Sequence, residues 1–172
     1  KPHVVNNSGC NEWYTPTHVL DVVRAALGTI DLDPASSTQA NNAVGAARYF
    51  DAEADGLGQE WTGKVFLNPP YSGDLVGKFC AKLVAECNRP GGVTEACVLV
   101  NNTTETVAGQ LLLNNATAVC FPSSRIRYVS PETGAPAKTP LQGQMLVYFG
   151  FSGEAFKAEA AVLGAVLWGP MR

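Results

Sequence analysis

No apolar run in this 172-residue chain reaches the length of a membrane-spanning helix, and nothing near Lys1 has the apolar region of a signal peptide. Membrane insertion is therefore not expected. A start at Lys1 rather than Met reads as an incomplete beginning. Cysteine is sparse and unsuited to metal or redox work: Cys10, Cys80, Cys87, Cys97 and Cys120 are odd in number, and no two stand in C-x-x-C spacing. All but Cys10 sit inside apolar patterns, so reduced packing thiols in a cytoplasmic protein are expected, with no metal centre. Positive charge is also short. A net charge of -3 argues against avid, non-specific attachment to nucleic acid, so any such contact must be local. Repeats, low-complexity tracts and interdomain linkers are all missing. With 46% hydrophobic and 16% charged residues, the chain is ordinary globular material with enough length for one core and too little for two full domains. A single domain over residues 1–172 is the expectation.

What is present alternates in type. "TPTHVLDVVRAALG" predicts a helix with Thr15 as N-cap, Pro16 at the first helical position, an apolar stripe of Val19, Val23, Ala26 and Leu27, and a stop at Gly28. "TIDLDPA", "ARYFD" and "KVFLN" predict short strands. "DLVGKFCAKLVAECNR" predicts a second helix, from the spacing of Leu75, Phe79, Leu83 and Cys87. "EACVLV" predicts a strand, "TETVAGQLLLNN" a helix and "ATAVCF" another strand. "RIRYV" and "QMLVYFGF" flank a turn-rich segment and predict a hairpin, and Glu154 to Leu167 predict a final helix. Strands alternating with helices imply a doubly wound α/β fold: a mostly parallel sheet, covered on both faces, with a C-terminal antiparallel hairpin strand. Ligands in such sheets bind outside the carboxyl ends of the strands, where strand order reverses. Asp33-Pro34 and Asn68-Pro69 both fall at such ends.

The second of these corners, in "VFLNPPYS", is the more informative. Pro69 and Pro70 have fixed φ and no N–H, so the turn offers rigid carbonyl acceptors without competing backbone donors. Asn68 adds a neutral side-chain oxygen beside them. Paired acceptors suit a substrate amino group, which must be held by its two hydrogens. Tyr71 adds a flat face for a planar ring. A plain strand-ending turn is the competing reading for a bare Asn-Pro, but the four-residue run after an apolar strand is much rarer.

The ordered set "EWYTP", "DLDPASS", "DGL" and "NPPY" resembles phage-type DNA N6-adenine methyltransferases that use S-adenosylmethionine, and the resemblance extends from Glu12 to about Phe151. It implies a Rossmann-like methyltransferase fold and direct in-line methyl transfer to adenine in DNA. It implies that the Asn68 side chain and the Pro69 carbonyl, with Pro70 shaping the turn, accept the two amino hydrogens of a flipped adenine. Tyr71 then replaces the lost stacking neighbours.

The same resemblance places Asp33 against the methionine amino group of the cofactor, with Pro34, Ala35 and Ser36 shaping the turn. As a residue taken alone, Asp33 reads as a solvent-exposed acid at a strand end. Tyr14 and Thr15 correspond to the segment that closes over the methionine carboxylate, Asp51 or Asn41 to the holders of the ribose hydroxyls, and Asp55, Gly56 and Leu57 to the segment beside the cofactor's adenine. "SSTQANN" departs from relatives that carry a glycine-rich loop after the acid.

For DNA phosphates the candidates are Arg125, Arg127 and Lys138, the two arginines alternating with Ile126 as on one face of a strand; a solvated hairpin face is the alternative. No segment is large enough for a separate target-recognition domain, which implies short-site specificity or help from a second subunit, as in a homodimer. A phage or prophage gene would place the enzyme in the cytoplasm of a bacterial host, in DNA protection or restriction-modification. Two other readings stay open: methylation of a ribosomal RNA base or protein glutamine by the same corner, and a catalytically silent methyltransferase-fold subunit.

Overall fold

The structure, a computed structural model, describes residues 13–138 and 142–170, so Cys10 and Glu12 lie outside it. In chain order the elements are α1 (Thr17–Leu27), β1 (Leu32–Asp33), α2 (Thr38–Val44), β2 (Arg48–Tyr49), β3 (Gly63–Leu67) and α3 (Leu75–Asn88). They continue with β4 (Val93–Asn101), α4 (Val107–Asn115), β5 (Ala118–Pro122), β6 (Gln144–Phe149), α5 (Gly153–Ala160) and β7 (Gly164–Trp168). One seven-stranded sheet carries these strands in the order β2-β1-β3-β4-β6-β5-β7. The pairings from β2 through β4 are parallel; β6 is antiparallel to β4 and β5, and β7 to β5. Strands β1 to β5 therefore run one way and β6 and β7 the other.

Period-two alternation sorts the core into two halves. Along β4, Cys97 and Leu99 join α1, α2 and α5 on one face, while Ala96, Val98 and Val100 join α3 and α4 on the other. The central strands are apolar throughout because both faces are covered. Fully buried Leu20, Leu83, Leu99 and Phe156 tie helices to both faces, each burial contributing about 1.5–3 kcal/mol. Cys80, Cys97 and Cys120 are buried in these halves, Cys87 is half-buried, and all four are free thiols.

From β1 the chain winds outward through α2 to β2, then returns to place β3 on the other side of β1. The order reverses between β1 and β3, which opens a crevice at their carboxyl ends. Asp33 ends β1, and Asn68 follows the last residue of β3. The sheet thus fixes the spacing of the two polar corners.

Several local expectations are corrected. Pro16, at φ -68° and ψ 150°, is the N-cap of α1, which frees Thr15 from capping and turns it toward the crevice. Where relatives carry a glycine-rich loop, "SSTQANN" runs into a helix: Ser37 accepts a hydrogen bond from Ala40 N–H at 3.1 Å and caps α2. The final helix ends at Ala160, and Gly164–Trp168 form the edge strand β7, pairing with β5. "RIRYV" is no hairpin strand. β6 pairs with β4 and β5 instead, and the described residues of the long excursion between β5 and β6 bring Ile126, Tyr128, Ala137 and Gln142 to the crevice wall. Its Ile126 N–H donates to the Gln144 side chain at 3.2 Å rather than to a ladder.

Candidate active site

The crevice widens into a cavity of about 840 Å³. Its lining combines the "WYT" segment, the turn after β1, the loop after β2, the corner after β3, and Ile126, Tyr128 and Gln144 from the excursion and the start of β6. Among the described residues, the buried side-chain polar atoms without a hydrogen-bond partner are Ser36 Oγ, Asn68 Oδ1 and Tyr128 Oη, and all three residues line this cavity. An unpaired buried polar group costs about 1–3 kcal/mol, so their convergence marks a ligand site rather than careless packing.

Asn68 is held from one side only. Its Nδ2 donates to Thr15 Oγ1 at 3.3 Å, and its Oδ1 has no partner. Thr15 is itself 6% exposed, so water does not compete freely for that contact. Pro69 and Pro70 also line the cavity. The corner therefore presents an oriented amide oxygen to whatever donor enters.

Tyr71 lines the same wall and is 41% exposed, while its hydroxyl is tucked in and accepts a hydrogen bond from Asn101 N–H at 2.9 Å. Pinning the hydroxyl to the end of β4 fixes the ring and leaves part of it open. Burial raises the pKa of this hydroxyl, against the Asn101 N–H, so it stays protonated across the working range.

Asp33 lies at the other end, and it is not the exposed acid expected: it is 3% exposed. Its Oδ1 accepts from Ala35 N–H at 3.2 Å. Burial pushes its pKa up to about 6, with the Ala35 N–H and then the nearby Ser36 hydroxyl pulling the other way. Ser36 approaches the carboxylate without a hydrogen bond of ordinary geometry. No ion pair involving Asp33 occurs among the described residues. A buried acid so placed suits a cationic ligand group.

The sign of the pH effect follows directly. Because the folded-state pKa lies above the ordinary 3.8, the folded protein holds this proton more firmly than the unfolded chain. The stability contributed by protonated Asp33 is present below about pH 4 and is lost as pH rises to about 6, a change of about 3 kcal/mol. Affinity for a cationic ligand should run oppositely, weakening as pH falls through about 6. Titration of ligand affinity for native protein and Asp33→Asn checks this; an equal pH dependence in both would remove Asp33 as its cause.

The loop after β2 is pressed against the β1 turn. A Cβ on Gly56 would stand 2.0 Å from the Pro34 carbonyl oxygen, so only glycine fits. Fully buried Trp61 donates from Nε1 to the Gly56 carbonyl at 2.8 Å and holds the loop from below. Asp55, at φ 48°, Gly56 and Leu57 all line the cavity. Asp51 lines it too, but its Oδ1 accepts from the N–H groups of Glu53 and Ala54. Asn41 is not in the lining. Its side chain donates to the Ala46 carbonyl and accepts from the Ala46 N–H, closing the turn after α2.

Arg125, Arg127 and Lys138 are exposed and outside the lining. The arginines do not share a strand face; in the chain they flank Ile126, which is 3% exposed and lines the cavity, while their own side chains are exposed. Sequence reasoning missed Trp61, Tyr128 and Gln144. Gln144 carried a signal, as a polar residue opening an otherwise apolar strand; Tyr128 and Trp61 carried none separable from ordinary packing.

An open α/β sheet with a polar crevice at its switch point has the layout of the cofactor-binding α/β enzymes. The family model for DNA N-6-adenine-methyltransferase (Dam) matches residues 4–166, and the chain belongs to that family. Its general activity is thus methylation of adenine N6 in DNA. Comparison with curated proteins finds no match. Among the described residues no helix is long and apolar enough to cross a membrane, and no group of metal-ligating side chains converges.

Proposed function

We propose that the protein is a single-domain, Rossmann-like enzyme that methylates the exocyclic amino group of an adenine flipped out of DNA, with S-adenosylmethionine as cofactor. One observation carries this reading: Asn68 Oδ1 is buried, unpaired and oriented by Thr15 in the wall of a switch-point cavity. The residues fit the cofactor, because Asp33 is a buried acid without a cation and Ser36 has an unpaired hydroxyl beside it. Asp33 would hold the methionine ammonium, with Pro34, Ala35 and Ser36 shaping the turn. Tyr14 and Thr15 would border the carboxylate, Asp51 is the remaining candidate for the ribose, and Asp55, Gly56 and Leu57 would flank the cofactor's adenine. When bound, the cofactor supplies an electrophilic methyl group on a sulfonium.

The chain's own contribution is to present the amine. The amino lone pair of adenine is delocalised into the ring and weakly nucleophilic. Asn68 Oδ1 and the Pro69 carbonyl accept its two hydrogens, draw the nitrogen toward tetrahedral geometry and stabilise the positive charge that develops there. Asn68 acts as an acceptor, not as a base. Tyr71 offers its open ring to the extruded base, offsetting part of the few kcal/mol that unstacking costs. Arg125, Arg127 and Lys138 would grip flanking phosphates.

Transfer of labelled methyl groups to DNA, RNA and protein, side by side, tests the reading. Incorporation into DNA adenine is expected; label in RNA or in glutamine would move the assignment to those substrates, and no label would leave a silent subunit. In the same assay, the Arg125→Ala, Arg127→Ala pair should raise the KM for DNA and flatten its log-log salt dependence by about one per lost phosphate contact. An unaltered slope would show that other residues hold the DNA.

A further inference from the structure

Tyr128 is the one unpaired group of the cavity that neither the acceptor corner nor the cofactor end explains. Its hydroxyl is buried and stands near the Tyr71 hydroxyl, but makes no hydrogen bond of ordinary geometry to it or to any other group, and the residue lines the cavity. Burial, and after it the charge and the oxygen acceptor of the neighbouring Tyr71, raise the pKa of this hydroxyl well above its ordinary value, so it remains a donor at any working pH. Its position is fixed. The Tyr128 carbonyl accepts from Ala137 N–H at 2.8 Å, and the next residue exchanges both backbone hydrogen bonds with Tyr14, at 3.0 and 2.8 Å. The ring packs against the core half that contains Ile126. Phenylalanine would fill the same space without burying an unsatisfied hydroxyl; the Tyr71 oxygen nearby already accepts from Asn101 N–H, which leaves a ligand acceptor as the better partner for this donor.

The corner and Tyr128 are complementary in chemistry. Asn68 and Pro69 offer acceptors, which read an amino group, whereas a neutral phenol offers a donor, which reads an unprotonated ring nitrogen. Adenine has such nitrogens on either side of its amino group, N1 on the Watson–Crick edge and N7 on the Hoogsteen edge. We propose that the Tyr128 hydroxyl donates a hydrogen bond to N1 or N7 of the extruded adenine and is a specificity-determining residue of the base pocket. The inference rests on the methyltransferase reading given above.

The test pairs a side-chain deletion with single-atom deletions in the substrate. Native protein and Tyr128→Phe are compared on oligonucleotides that carry adenine, 1-deazaadenine or 7-deazaadenine at the target, by kcat/KM and by equilibrium dissociation constant. Native protein is expected to lose about three- to tenfold on one of the two analogues, the size of one neutral hydrogen bond, and Tyr128→Phe to lose as much on adenine but nothing further on that analogue. Cofactor affinity of Tyr128→Phe, measured by calorimetry, should match native and reports on its folding. Should the native protein treat adenine and both analogues alike, the proposal fails without recourse to the variant. Equal losses of the variant on all three substrates would instead make Tyr128 a support for Tyr71 and overturn base reading. Failure of the native protein to methylate adenine DNA at all would overturn the methyltransferase reading, and this inference with it.

Discussion

Asn68→Ala is expected to lower methyl transfer by about 100- to 1000-fold, the usual loss when one group that stabilises developing charge is removed, while cofactor affinity stays near native. The expectation follows from the isolation of Asn68 Oδ1. A buried acceptor with no partner in the free protein contributes little to folding, so its deletion should be visible mainly in turnover. Thr15→Val, which keeps the shape but removes the acceptor of the Asn68 amide, should reproduce part of that loss by letting the amide rotate. Thr15→Ser should restore it. Single-turnover rates and calorimetric cofactor binding, measured on the same preparations, separate the two effects. Native turnover in Asn68→Ala would end its assignment as the acceptor of the amino hydrogens.

Asp33→Ala is expected to weaken S-adenosylmethionine binding by about 10- to 150-fold, corresponding to roughly 1.5–3 kcal/mol for a charge-assisted hydrogen bond. At the same time Asp33→Asn should melt at a higher temperature than native protein at neutral pH, because it removes a charge the fold buries without a counter-ion. Opposite signs for affinity and stability are the signature of a residue kept for a ligand, in contrast to a structural acid, whose loss would lower both. Calorimetry gives the first and thermal melting without ligand the second. An unchanged dissociation constant would remove Asp33 from the site.

The sequence disclosed most where local chemistry is emphatic. Proline after an apolar strand leaves few conformations, so the corner at Asn68 and the strand before it were legible, as were α1 with its stop at Gly28 and α3. Legibility failed where tertiary partners decide. Gly164–Trp168 continues an apolar, helix-compatible pattern after α5, and only pairing with β5 makes it a strand. "RIRYV" alternates like a strand, but Ile126 finds its partners in the cavity wall and in Gln144. The same limit applies to the site. The order of motifs brought Asp33 and Asn68 together, yet the burial of Asp33 and the orphaned hydroxyl of Tyr128 are properties of enclosure, invisible until the excursion forms part of the crevice wall.

That excursion divides the cavity into parts of unequal mechanical origin. Asp33 and Asn68 stand at the ends of adjacent strands locked by the β1–β3 and β3–β4 ladders, whereas Ile126 and Tyr128 hang from a connection that interrupts the hairpin between β5 and β6. On the proposed reading, chemistry is vested in the frame and the reading of the base in an appendage whose ties to the rest of the fold include the Tyr14–Val129 pairing and the Gln144 side chain. For lineages of such enzymes this is a form of modularity within one small fold. On that reading, substitutions in the appendage would alter how the base is read without disturbing the hydrogen-bonded ladder that keeps Asp33 and Asn68 in register.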